Sequence, residues 1–198
     1  MPLWGWILVA VGAVLLLSVA IGAMLTKRRT AHLRDRFGPE YDRTVRDSSN
    51  RREAESELSE REKRRRELDI RPLSAPARER YAERWQTLQA EFVDAPTPTV
   101  ASADSLVTEV MRERGYPMDD FEQRASDVSV DHPEVVESYR EAHRIAQRSA
   151  DGEASTEDER QALRHYRRLF DELLGTSADE PTTRERESAD VDVGASRR

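Results

Sequence analysis

LWGWILVAVGAVLLLSVAIGAML, residues 3–25, contains no charged side chain, and Ser18 is its single hydroxyl residue. A helix rising about 1.5 Å per residue over this stretch spans about 35 Å, which exceeds the ~30 Å hydrocarbon core of a bilayer. The rest of the chain is strongly polar, since charged residues make up 36% of all 198 positions. The sequence therefore predicts that residues 1–26 form a transmembrane anchor, and this anchor sets where the remainder works.

Basic residues follow the apolar stretch at once, whereas nothing basic precedes it except the amino terminus. Positively charged flanks stay on the cytoplasmic side, so we expect a single-pass signal-anchor in the bacterial inner membrane, with the N-terminus outside and the C-terminal domain cytoplasmic. A cleaved signal peptide has a basic start and an apolar run of about 7–15 residues. A weak cleavage site at Ala20-Ile21-Gly22 keeps open the alternative of a secreted protein. The basic cluster consists of Lys27, Arg28, Arg29, Arg34 and Arg36.

The net charge of −7 is distributed unevenly along the chain. Residues 27–66 hold 14 basic and 9 acidic side chains, and residues 67–198 hold 18 basic and 30 acidic side chains. A basic segment beside the anchor favours contact with the bilayer and its anionic headgroups. Nucleic-acid binding is disfavoured, because the distal part would repel phosphate. The absence of cysteine excludes disulfides and thiolate metal sites.

Between the anchor and the distal domain, we predict a basic juxtamembrane segment at residues 27–38 and a charged helical stalk at residues 39–70. Gly38 is placed to end one helix, and Pro39 to begin the next. The stalk contains pairs such as Glu57 and Arg61 at the i, i+4 spacing, each worth about 0.2–0.5 kcal/mol. These features indicate one long, solvated helix.

A coiled coil is the alternative for the stalk. Its seam would run through Ala54, Leu58 and Leu68, but Arg61 and Arg65 occupy the same seam and break it. Within the anchor, Ser18 and Gly22 form a small pair, but no full GxxxG motif is present. Homo-oligomerisation is therefore possible, but no sequence feature supports it.

Residues 71–175 have the periodicity of a small helical bundle with four to five helices, and residues 176–198 have the composition of a disordered tail. The stripe Tyr81, Trp85, Leu88 and Phe92 follows a good N-cap at Ser74. Further expected helices cover about 97–114, 119–126, 131–150 and 156–174. No alternation typical of a strand is present, so the predicted fold class is all-α.

The most site-like stretch lies between residues 116 and 143, where polar side chains surround two predicted helix starts. Its candidate residues are Arg124, Asp131, His132, Arg140 and His143, with Asp127 and Glu134 beside them. A ligand or partner site is one interpretation. The other is that Asp131 caps a helix and the remaining groups are surface charges. The Glu-x-x-His spacing of a di-iron bundle is absent, since Arg140 and Ala162 precede His143 and His165 by three residues.

Several strings resemble an uncharacterised family of small single-pass membrane proteins, mainly actinobacterial, whose members carry hypothetical or "secreted" labels. These strings are residues 37–43 (FGPEYDR), 62–64 (EKR), 68–73 (LDIRPL), 110–117 (VMRERGYP) and 131–136 (DHPEVV), with Tyr139-Arg140. The resemblance covers about residues 1–175. It implies a shared helical fold and carries over no activity or catalytic residue.

From the residues themselves, we expect a non-enzymatic, membrane-anchored interaction or scaffolding module without a cofactor or metal. An anchor raises the effective concentration of a tethered domain for partners at the membrane. An unidentified protein would be its partner. The alternative is an enzyme or small-ligand sensor centred on Arg124, Asp131, His132 and His143, for which these side chains must converge on a pocket.

Overall fold

The computed structural model describes the backbone of residues 3–175 and the side chains of residues 16–18 and 20–175. Within those residues, the regular secondary structure is helical and contains no strand. The chain divides into two compact units, unit 1 at Met1–Lys63 and unit 2 at Arg64–Arg198. The predicted all-α fold class is confirmed for the described part.

Unit 1 is built from α1 (Leu3–Phe37), α2 (Pro39–Asp47) and α3 (Arg51–Glu67), the last of which continues past the unit boundary. Gly38 ends α1 with a φ of 46°, a backbone conformation that favours glycine. Pro39 then begins α2, because its missing N–H costs nothing in the first turn. Both predictions for this corner are confirmed. The basic segment at residues 27–38 continues α1 up to Phe37.

The predicted transmembrane helix falls mainly on residues whose side chains lie outside the described residues, namely 1–15 and 19. In the part of the chain that the structure describes, no helix combines the length and apolar character needed to cross a membrane. The predicted tail at residues 176–198 also lies outside the described residues.

The prediction of one continuous stalk helix is wrong, because Ser48, Ser49 and Asn50 separate α2 from α3. The Ser48 hydroxyl donates to Thr44 O at 2.8 Å, and Ser48 itself is extended. Asn50 Oδ1 then accepts from the Glu53 amide at 3.0 Å, as an N-cap does. Short polar side chains bond to backbone groups that would otherwise make helical hydrogen bonds. At Ser48 to Asn50 these bonds end the helix, although the i, i+4 charge pairs predicted that it would continue.

Helix α3 lies beside α1 in unit 1, and it is not a solvated stalk there. Arg29 donates to Ser59 Oγ at 2.7 Å, and the Thr30 hydroxyl donates to Glu55 at 2.8 Å. His32 lies 3.3 Å from Glu62, further along both helices, so α3 runs in the same direction as α1. Among the described side chains of unit 1, the buried apolar residues are Leu33, Phe37, Tyr41, Ala54 and Leu58.

Unit 2 contains the end of α3 and five further helices within the described residues. These are α4 (Ala75–Glu91), α5 (Pro96–Arg114), α6 (Phe121–Asp131), α7 (Val136–Ala150) and α8 (Thr156–Leu174). Helix α5 packs against α4, α7 and α8, and α7 also packs against α6 and α8. This bundle agrees with the helices expected from periodicity.

The ends of these helices follow local chemistry. The Ser74 hydroxyl accepts from the Ala77 amide, as predicted for the N-cap of α4. Gly115 ends α5 with a φ of 98°, and a Cβ there would lie 2.5 Å from the Asp69 carbonyl oxygen. Helix α8 begins with a capping box, in which Ser155 and Asp158 exchange two hydrogen bonds between side chain and backbone.

Two helix boundaries near residue 131 differ from the prediction. Helix α6 extends to Asp131, so this residue ends a helix and does not cap the next one. Helix α7 begins at Val136, because Pro133 disfavours helical backbone at His132, whose φ and ψ are −131° and 56°.

The core of unit 2 lies where α4, α5, α7 and α8 meet. All four members of the stripe Tyr81, Trp85, Leu88 and Phe92 are buried. Trp85 stacks on Phe170 of α8 with ring centroids 4.7 Å apart. Such aromatic pairs contribute about 0.5–1.5 kcal/mol beyond their buried area.

The core can be tested with the same substitution at a buried and an exposed valine. Val110 is fully buried and Val93 is 82% exposed. We expect Val110→Ala to lower the free energy of unfolding by about 2 kcal/mol, through lost burial and an added cavity. Val93→Ala should change it by less than about 0.5 kcal/mol. Urea denaturation followed by fluorescence measures both, and equal effects would contradict this core assignment.

Candidate functional site

The five residues of the predicted polar cluster do not converge on one pocket. Arg124 and His143 lie beside Asp104 of α5, in a group that we call the Asp104 centre together with Tyr166. Asp131 and His132 bond to other partners at the end of α6. The sequence predicted these residues as one site, but the structure distributes them over separate contacts.

The Asp104 centre brings together side chains from four helices of unit 2. The Tyr166 hydroxyl of α8 donates to Asp104 Oδ1 at 2.7 Å. His143 Nδ1 of α7 lies 3.6 Å from the same oxygen. The His143 ring stacks on Phe121 of α6, with centroids 3.7 Å apart and an interplanar angle of 7°. Asp104 of α5 thus contacts side chains from both α7 and α8.

Charge and burial in this centre favour an ionised carboxylate beside a neutral phenol. Burial opposes ionisation of Asp104, but His143 and Tyr166 outweigh this effect and lower the pKa of Asp104 below its ordinary value. Burial, followed by the charge of Asp104, raises the pKa of Tyr166 far above its ordinary value. Tyr166 therefore remains a hydrogen-bond donor at neutral pH.

A cavity of about 400 Å³ adjoins the Asp104 centre. Asp104 and Arg124 line it, together with Ser105, Thr108, Glu109 and Arg112. Arg124 also donates to the Asp119 carbonyl oxygen at 2.6 Å. Of the five predicted residues, Arg124 is the one that lines this cavity.

Asp131 and His132 take part in ion pairs and hydrogen bonds of unit 2. Asp131 pairs with Arg65 and accepts from the Tyr116 hydroxyl at 3.2 Å. His132 Nδ1 lies 3.6 Å from Glu172, and burial followed by the charge of Arg114 lowers the pKa of His132. These contacts join the end of α6 to α3, to α8 and to the segment after α5.

The remaining cluster residues are held by neighbours of opposite charge or are exposed. Arg140 lies 3.6 Å from Glu137 on its own helix. Asp127 is buried and accepts from Arg64 Nε at 3.0 Å. Glu134 is exposed in the turn before α7.

Asp104 was not among the site residues that the sequence predicted. The available signal was the Tyr166 hydroxyl, because a buried tyrosine needs a polar partner. Nothing in the local sequence indicated that Asp104, 62 positions away, supplies it.

The basic residues after the apolar stretch are partly gathered by unit 1. A cavity of about 520 Å³ is lined by four basic and two acidic side chains, among others. They are Lys27, Arg34 and Asp35 of α1 and Arg51, Arg52 and Glu55 of α3. A neighbouring cavity of about 400 Å³ includes Arg29 and Arg52. We call these two cavities the basic face of unit 1. Arg28 and Arg36 do not line either cavity.

Among the side chains that the structure describes, no group of three histidine, aspartate or glutamate residues is arranged to hold a metal ion. Comparison of the chain with models of known protein families, with curated proteins and with solved structures finds no match.

The Asp104 centre predicts an acid-dependent loss of stability. A carboxylate with a lowered folded pKa stabilises the fold above its unfolded pKa of about 3.9, and this contribution disappears as pH falls through the folded pKa. We expect Asp104→Asn to lower the free energy of unfolding by about 1–2 kcal/mol at pH 7. The difference between the two proteins should shrink below about pH 4.

Urea denaturation of both proteins from pH 7 to pH 2.5 measures this difference. Asp94→Asn is the matched control, because Asp94 is exposed. A difference between wild type and Asp104→Asn that stays constant with pH would contradict a role for the ionised carboxylate.

Proposed function

We propose that this chain is a membrane-tethered helical interaction module at the cytoplasmic face of a bacterial inner membrane. The observation that carries the proposal is the basic face of unit 1, which follows directly after the apolar residues 3–25. Arginines from α3 join those from α1 there, although 24 residues separate Arg51 from Lys27. Such a face is suited to the phosphates of anionic lipids, at about 1 kcal/mol per basic residue near the surface.

The tether itself is argued from sequence. A stretch of 23 residues without charge is long enough to span a bilayer, and its basic flank gives the orientation. The alternative of a processed, secreted protein has the opposite topology. Unit 2 is acidic and would extend into the cytoplasm as the part that binds a partner.

An enzymatic role has less support from the geometry. A catalytic site needs reacting groups that converge on one concave surface. Of Arg124, Asp131, His132 and His143, the second and third are engaged at the end of α6, away from the contacts of the Asp104 centre. In the Asp104 centre, the Tyr166–Asp104 hydrogen bond and the His143–Asp104 contact both join neighbouring helices, which is a structural role.

The tether can be tested by placing charge in the apolar stretch. An arginine at the centre of a membrane helix raises the free energy of insertion by about 2.5–3.5 kcal/mol. The double variant Ala13→Arg with Leu17→Arg should therefore leave the membrane fraction after alkaline washing. Ala13→Leu is the control and should remain. Protease added outside intact spheroplasts should not cleave beyond Arg36. Wild type in the soluble fraction, or cleavage beyond Arg36 from outside, would refute the proposal.

The basic face can be tested through its effect on stability. Anionic phosphatidylglycerol should raise the thermal midpoint of the full chain in nonionic detergent, whereas phosphatidylcholine should not, because a ligand bound to the folded state stabilises it. Replacing Arg51 and Arg52 with Gln should remove most of this rise, equivalent to about 2 kcal/mol of binding. The control replaces Arg46 and Lys63, exposed residues of the same unit, with Gln. An equal loss in both variants would indicate a general charge effect.

A further inference from the structure

Unit 2 has a second basic surface, in a groove between α4 and α8. The groove has a volume of about 640 Å³, and its principal lining residues are Trp85, Leu163, Arg160, Arg164, Arg167 and Arg168. We call it the arginine groove. It belongs to neither the Asp104 centre nor the basic face of unit 1.

The floor of the arginine groove is aromatic and apolar. Trp85 stacks on Phe170, and the Arg167 guanidinium carbon lies 5.6 Å from the centroid of the Trp85 ring. The indole Nε1 of Trp85 is buried and has no hydrogen-bond partner among the described residues. Trp85 is itself inaccessible to solvent, so it supports the groove from beneath the exposed arginines.

The rim is cationic and only partly neutralised. Arg160 pairs with Glu157, and Arg167 donates to Asp171 at 2.7 Å. Among the described residues, Arg168 donates a hydrogen bond to the Ser138 hydroxyl alone, at 3.4 Å. Arg164 is exposed and makes no ion pair or hydrogen bond within the described part of the chain. Arg164 and Arg168, at the i, i+4 spacing, therefore have no acidic partner in the part of the chain that the structure describes.

The arrangement of these charges determines which ligand fits. Arg160, Arg164 and Arg168 form a row on α8 about 12 Å long, at ~1.5 Å per residue. A small anion is held by cations that converge on one point, whereas this row matches carboxylates spaced along an extended chain. The apolar floor accepts a side chain between them.

We propose that the arginine groove binds an acidic peptide segment of a partner protein, with carboxylates on the arginine row and an apolar side chain beside Leu163, the partly accessible apolar residue of the lining. We assign the partner to a separate protein because the chain's own residues 176–198 contain four arginines beside six carboxylates, and these arginines would be repelled by the groove. This assignment rests on the interaction role proposed above and names the chemistry of its partner. Peptide binding to the arginine groove does not depend on lipid binding by unit 1. The peptide experiment and the lipid experiment can therefore give a negative result separately.

The test uses the full chain in nonionic detergent with Trp4→Phe and Trp6→Phe, which leaves Trp85 as the only tryptophan. The probe is a ten-residue peptide with two leucines among eight aspartates and glutamates. We expect a saturable change in Trp85 fluorescence that weakens severalfold as salt is raised. A peptide with asparagine and glutamine in place of the acids should not bind, and equal binding of the two peptides would overturn the proposal.

The matched variants place the peptide on α8. Arg164→Gln with Arg168→Gln should weaken binding about tenfold, because charge-assisted bonds to carboxylates are lost. Arg144→Gln with Arg148→Gln makes the same charge change at the same spacing on α7 and should alter affinity less than twofold. Equal losses in both pairs would refute the groove. Circular dichroism checks that each variant is folded. If the double variant unfolds, Arg164→Gln alone replaces it and should lower peptide affinity about threefold.

A third variant separates the partner from the chain's own C-terminal residues. Glu187→Gln, Asp190→Asn and Asp192→Asn neutralise the acidic end of residues 176–198. Unchanged peptide affinity supports a groove open to a partner. A severalfold gain in affinity would mean that these residues occupy the groove, and it would overturn the assignment to a separate protein.

Discussion

Helix α8 buries one face against α5 and α7, and unit 2 depends on this burial. Tyr166, Leu169, Phe170 and Leu173 of α8 are all nearly inaccessible to solvent. Burying each such side chain contributes about 1.5–3 kcal/mol, so this face outweighs any single ion pair on the surface. The exposed side of the same helix remains free to carry arginines. One helix therefore supplies both the core and the arginine groove.

Several polar groups that enter this core are paired, because an unpaired buried group is costly. The Tyr166 hydroxyl has a charged acceptor in Asp104, which also faces His143. Unit 1 follows the same principle, since buried Glu55 accepts from Tyr41 and Thr30, and buried Glu40 accepts from Arg61. An unpaired charge in these positions would lose several kcal/mol. In this highly charged chain, charges therefore determine which helices can meet.

The proposed role divides these features between two surfaces with different ligands. The basic face of unit 1 would bind phosphates of the bilayer, and the arginine groove of unit 2 would bind carboxylates of a partner. A tether increases the local concentration of the second surface for partners near the membrane. The two surfaces differ in residues and chemistry, so substitutions can separate their contributions.

The sequence by itself determined the all-α class, the apolar stripes of unit 2 and most helix ends, because helical periodicity and capping are local properties. It also predicted the break at Gly38 and Pro39. Tertiary structure alone decided that α3 lies beside α1, that Asp104 meets Tyr166, and that the residues between 116 and 143 do not form one pocket. These outcomes depend on which helix faces are opposed, and residues such as Asp104 and Tyr166, 62 positions apart, carry no local signal of their pairing.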